Sequence, residues 1–149
     1  MMSDELHEAA WRIQLHEVIA RYAHCMDSGD FDGLEALFTE DASFDIEPDP
    51  GIIPLPLHGR RVMREALEAR YAVVSQDAQR RHLMTTIVVD EVSATAAATR
   101  SFLTVVSAPK SGGGVELRGT GVYHDRFVRE NGAWLISERR LFVDELKTS

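Results

Sequence analysis

Residues 22–44 read YAHCMDSGDFDGLEALFTEDASF. The stretch holds the end of one helix, a tight corner at Ser28-Gly29, a second short helix and the entry into a strand. Asp27 stands at the corner, just past an apolar helical face. A carboxylate there points inward, and an inward carboxylate requires a partner. The best partner in the sequence is His82, at the start of an apolar strand. Working outward, residues 4–26 form the helix that ends at the corner. Trp11, Leu15, Val18, Ile19, Tyr22 and Met26 fall at helical spacing, with Arg12, Gln14, Glu17 and Arg21 elsewhere. Asp30 caps the second helix, expected over 31–39, with Phe31, Leu34, Leu37 and Phe38 as its apolar side. A short strand is expected over 42–46.

Residues 47–59, EPDPGIIPLPLHG, hold four of the five prolines together with Ile52, Ile53, Leu55 and Leu57. Such a segment is neither regular helix nor central strand. It is packed on the body or is a flap over a pocket. Residues 60–75 form a third helix, with Met63, Leu67, Tyr71 and Val74 on one face. The arginines at 60, 61, 64, 80 and 81 are assigned to a solvated face or subunit contacts. Beyond residue 81 the period becomes that of strands, over 82–92, 95–108, 115–129 and 133–145. Ser111-Gly112-Gly113-Gly114 marks one turn and Asn131-Gly132 a hairpin. Three helices, one early strand and a four-strand antiparallel meander make an α+β domain spanning residues 1–149. A curved sheet folded around helices leaves a concave face, the usual form of a small-molecule site.

The 149 residues suit a single core, and the composition (44% hydrophobic, 27% charged) is that of a soluble globular protein. A net charge of −8 argues against nucleic acid and, more weakly, against anionic membranes. The single Cys25 forms no internal disulfide. The N-terminal MMSDELHEAAW is acidic where a signal peptide is basic, and no apolar run approaches the roughly 18 residues of a membrane span. A cytoplasmic location is expected. No clustered His/Glu ligand set is present, and Gly112–Gly114 lies between strands, so neither a metal nor an organic cofactor is implied.

Tyr22, Asp27-Ser28-Gly29-Asp30-Phe31-Asp32, Leu37-Phe38 and Asp41-Ala42 resemble the SnoaL-like branch of the nuclear transport factor 2-like superfamily. So do Arg81-His82 opening a strand and the run of Gly121, Tyr123, Asp125, Phe127, Arg129, Gly132, Trp134 and Ile136. The resemblance covers residues 8–143. It implies a conical barrel of curved, mostly antiparallel sheet wrapped around three N-terminal helices, with a deep pocket, in a homodimer or homotrimer. Within the branch the chain is similar to scytalone dehydratase, hexachlorocyclohexane dehydrochlorinase and bile-acid dehydratase, lyases with an Asp–His pair. That pair falls on Asp27 and His82. The bile-acid enzyme's Tyr falls on Tyr22, where the dehydrochlorinase has Lys, and an active-site Arg falls on Arg139 or its neighbour Arg140. Scytalone dehydratase carries Tyr where this chain has Met26, and a second His where it has Arg100 or Phe102, which argues against scytalone as substrate.

The resemblance and the residues together give a dehydratase-type lyase or isomerase acting on a small, apolar, cyclic substrate. Asp27 orients His82, which moves a proton. Tyr22 donates a hydrogen bond, and Arg139 stabilises developing negative charge. Phe44, Ile46, Met84, Phe102 and Phe142 are the expected pocket wall. Each residue also has a plain structural role. Asp27 turns the chain, His82 is a hydrogen-bonded core or surface residue, Tyr22 is a core residue with a satisfied hydroxyl, and Arg139 pairs with Asp125 or Glu138 at the surface. The alternative function is a non-catalytic ligand binder or accessory subunit, similar to the beta subunit of a ring-hydroxylating dioxygenase. A ketosteroid-isomerase-type shuttle would draw on Asp125 beside Tyr123.

Overall fold

The first helix has its signals at both ends. The Ser3 hydroxyl accepts from the Leu6 amide, and Asp4 and Glu5 sit in the first turn, where negative charge complements the helix dipole. Gly29 closes it in the left-handed region at φ 76°, its N–H donating to the Cys25 carbonyl. In this computed structural model, which describes residues 3–145, the helix α1 runs Asp4–Ser28. It buries Leu15, Ile19, Tyr22, Ala23, Met26 and Asp27.

The Asp30 carboxylate accepts from the Gly33 amide and starts α2, Phe31–Glu35. This helix is shorter than expected. Phe38 and Thr39 are buried at the start of strand β1, Phe38–Glu47, which pairs with the last strand; the Ile136 amide donates to the Leu37 carbonyl. Sheet pairing there outweighs the weak helical preference of the sequence. The proline-rich segment contains a two-residue strand β2, Leu57–His58, paired with Ser43 and Phe44. Helix α3, Arg60–Val74, buries Met63 and Leu67. It is tied to α2 through Arg64, whose guanidinium donates to Glu35 at 2.8 Å and also meets Asp32.

The long strands β3 (Ala78–Val92), β4 (Ala96–Pro109), β5 (Glu116–Glu130) and β6 (Ala133–Val143) form the expected antiparallel meander. The six strands lie in the order β2-β1-β6-β5-β4-β3, antiparallel except for the parallel β1–β6 pair. Register shifts interrupt β3–β4 at Thr85/Val88, β4–β5 at Val105/Val106 and β5–β6 at Arg126/Phe127. Such bulges bend a sheet and increase its twist. The helices fill the concave side, where α1 crosses β3 and β6 and α3 lies against β1. Among the described residues no helix is long and apolar enough to cross a membrane.

Candidate active site

Asp27 and His82 meet. The last turn of α1 carries Asp27 inward beside Met26, and β3 presents its side chains alternately, so His82 faces the helix while Arg81 and Leu83 face out. Asp27 is 8% exposed. Its Oδ1 lies 2.6 Å from His82 Nδ1, and its Oδ2 accepts from the His82 backbone amide at 2.9 Å. Gln79 adds a bond from its side-chain amide to the Asp27 carbonyl at 3.0 Å. A carboxylate with both oxygens accepting is suited to the ionised form, and Nδ1 then carries the donated proton. The lone pair of His82 is left on Nε2, which has no protein partner among the described residues.

This pair borders a cavity of about 230 Å³. Tyr22, Phe44, Ile46, Leu103, Tyr123 and Leu141 line its deep part. Tyr71, Val74 and the loop residues Ile52 and Ile53 form the outer wall. The proline-rich segment thus walls the cavity through its isoleucines, while Leu57 is buried in the core. Asp27 and His82 also border a groove on the other side, with His24, Ser28 and Arg81, so the pair stands between cavity and surface.

The five expected wall residues divide. Phe44 and Ile46 line the cavity. Met84 shares the inner face with His82 and packs on the core, but lies outside the lining. Phe102 and Phe142 are corrections. Cross-strand partners share a face, and Thr85, Phe102, Val122 and Phe142 form one row on the outside of the sheet. Phe102 is 50% exposed, and Phe142 packs edge-on against exposed His124. Their neighbours Leu103 and Leu141 take the inner positions.

Arg139 is also not where a surface pair would put it. It is fully buried and bonds Asp125 in a two-pronged geometry at 2.8 and 2.9 Å. Its guanidinium carbon sits 4.0 Å from the ring centroid of Tyr22 and 4.1 Å from that of Tyr123, against both rings, which themselves meet edge-on at 6.2 Å. It does not line the cavity; the two tyrosines above it do. Arg140 points outward to Glu47 and Phe142. Burial raises the Tyr22 hydroxyl above its usual range, partly opposed by Arg139. Burial, reinforced by Tyr22, raises Tyr123 well above it. Both stay neutral donors at physiological pH. Arg80, expected on a solvated face or in subunit contacts, lines the cavity, and so does Tyr123, named from the sequence only for a ketosteroid-isomerase-type shuttle. Strand alternation was the available signal, since Arg80 stands two residues before His82 and Tyr123 two before Asp125.

Fold and site together define an α+β protein of the cystatin-like, nuclear transport factor 2-like class, a helix-filled curved sheet with an open-mouthed cavity. The chain belongs to the SnoaL-like domain family, whose model matches residues 7–140. That family includes polyketide cyclases and dehydratases. Among curated proteins no match is found. Among solved structures the chain is similar to Rv3472, a protein of unknown function from Mycobacterium tuberculosis. The two are 28% identical at TM-score 0.81, over 98% of this chain and 79% of that one. It is similar to Aln2 from a Streptomyces species, with 26% identity, TM-score 0.77, and 97% and 94% of the two chains covered. A nuclear transport factor 2-like protein with a cystatin-like fold from Novosphingobium aromaticivorans shares the fold at 21% identity and TM-score 0.82, over 97% and 88%.

Proposed function

We propose that the protein is a cofactor-independent lyase or isomerase that removes a proton from carbon in a small, apolar, cyclic substrate. The carrying observation is the 2.6 Å contact between Asp27 and His82 at the edge of a mostly apolar cavity. Asp27 fixes the imidazole tautomer and stabilises the imidazolium, so Nε2 acts as the base. In the elimination, the C–H bond breaks to Nε2 and its electron pair becomes the new C=C bond. The neighbouring C–O bond breaks, and the departing oxygen leaves as water with the proton returned from the imidazolium. In the isomerisation, the same proton returns to a different carbon. Tyr22 and Tyr123 offer neutral hydroxyls to the substrate oxygen. The buried Arg139 acts through them and does not touch substrate.

The test is turnover of a panel of cyclic β-hydroxy ketones and enolisable ketones, each with and without a carboxylate substituent, followed by ultraviolet absorbance and by deuterium uptake from D₂O. Wild-type protein is expected to act on at least one compound, with His82→Ala and Asp27→Asn slower by about 10²–10⁴-fold. No turnover and no exchange anywhere in the panel, or variants as fast as wild type, would overturn the reading. The protein would then be a ligand binder or an accessory subunit.

We also propose that copies associate as a homodimer or homotrimer, which the exposed apolar row on the outside of the sheet supports.

A further inference from the structure

The mouth of the cavity differs in character from its depth. Arg70 and Tyr71 near the end of α3, Gln79 and Arg80 at the start of β3, and Lys110 after β4 all border it. Three cations therefore ring the opening of a pocket in a chain of net charge −8. Among the described residues Arg70 and Arg80 make no ion pair, nor do Arg60, Arg81, Arg126 and Arg129 away from the cavity lining, whereas the arginines at 12, 21, 61, 64, 100, 118, 139 and 140 are paired. Lys110 donates only to the Ser75 carbonyl. The Arg70 Nε is buried without a hydrogen-bond partner. The one carboxylate in the lining is Asp27, and both its oxygens are engaged by His82.

Half-buried cations without counter-charges are costly, because burial and like-charge repulsion both act against them. Arg80 carries the mark of this. Burial first, then Arg70 and Arg118, pull its guanidinium below its usual value. A cationic rim over low-dielectric walls focuses a positive potential into the opening. It also supplies planar donors that fit carboxylate and phosphate oxygens in pairs.

We propose that the ligand of this cavity is an amphipathic anion, an apolar ring body with a carboxylate or phosphate group held at the mouth by Arg80 and Arg70. Arg80 and His82 lie two residues apart on one strand face, so their backbones are separated by about 6.7 Å. The anionic group is therefore carried a few bonds from the carbon that faces Nε2, near solvent, while the ring fills the apolar depth. The proposal rests on reading this cavity as the substrate's site, and it refines the apolar substrate of that reading to one whose apolar ring body carries an anionic group.

Calorimetric titration with three matched probes tests it: 2-naphthoate, 2-naphthyl phosphate and the neutral 2-naphthamide. Wild-type protein is expected to bind at least one anion about tenfold or more tighter than the amide, and the tighter anion identifies the group. Raising the salt concentration shrinks the difference. Arg80→Gln and Arg70→Gln are expected to remove most of the preference, read as the ratio of anion to amide affinity within each variant, and Arg80→Lys to retain part of it; thermal melts confirm that each variant is folded. Equal binding of all three probes, binding of none, or a preference that survives both glutamine variants would overturn the proposal. These readouts are independent of the dyad. Exchange chemistry that depends on His82 without any anion preference sinks this inference alone, and an anion preference without exchange sinks the catalytic reading alone.

Discussion

At the scale of single residues, two side-chain pairs of different kinds organise the molecule, a part-buried carboxylate–imidazole pair and a fully buried ion pair. Asp27–His82 borders the cavity, whereas Asp125–Arg139 lies outside its lining, with the guanidinium against the rings of Tyr22 and Tyr123. Removing one member of a buried pair strands the other charge, at a cost of about 3–5 kcal/mol. Asp125→Asn is therefore expected to lower unfolding stability by that order in urea titrations. Arg139→Met, which also leaves Asp125 buried and unpartnered, is expected to do the same, while the double variant Asp125→Leu/Arg139→Met recovers a large part of the loss. A single variant of wild-type stability would show that the pair contributes little. His82→Gln tests the other pair. The imidazole is partly accessible and its backbone amide bond to Asp27 remains, so the expected stability loss is about 1 kcal/mol. The meeting of Asp27 and His82 was legible because Asp27 ends a helix on its apolar side, where an inward carboxylate needs a partner, although β3 begins at Ala78 and not, as expected, at His82. The burial of Arg139 was not, because a pair such as Arg139–Asp125 reads the same on either face of a strand until the cross-strand register is known.

At the scale of elements, the corner after α1 fixes where Asp27 points. Gly29 takes φ 76°, and a Cβ placed there would lie 2.8 Å from a Tyr71 ring carbon. Both features oppose a side chain, the first through backbone strain and the second through the packing of α3. Gly29→Ala is expected to cost about 1–3 kcal/mol and to lower the melting temperature measurably. It should also weaken any His82-dependent exchange, because Tyr71 walls the cavity. An unchanged melt would mean that corner and ring relax freely. Helix and strand order, the meander and both turns were readable from periodicity and from Gly and Asn positions. Side-chain parity was readable only in part. The runs Phe102-Leu103-Thr104-Val105-Val106 and Leu141-Phe142-Val143 are apolar on both faces, so alternation gives no sign of which residue turns inward. The register shift at Val105/Val106 adds a change of phase that no local signal marks.

At the scale of the whole molecule, that same ambiguity has a physical origin: strands apolar on both faces have two surfaces to cover. The inner surface receives the helices. On the outside, Leu83 (42% exposed), Phe102 (50%) and Leu117 (66%) remain open, with Val122 and Phe142 in the same row as Phe102. Association of copies through this surface would remove it from water, and burying one Phe contributes about 1.5–3 kcal/mol. In a symmetric dimer each substitution counts twice, so Phe102→Lys is expected to weaken association by at least 10²-fold while leaving the cavity intact. Light scattering should give wild-type protein two or three times the 16.7 kDa chain mass, and the variant a mass falling toward one chain on dilution. Because the chain carries −8, added salt should strengthen association by screening repulsion between copies. A wild-type protein that stays monomeric at every concentration and salt level would leave the outer row as ordinary exposed surface. Equal masses for wild type and variant in an oligomer would instead place the interface elsewhere on the molecule.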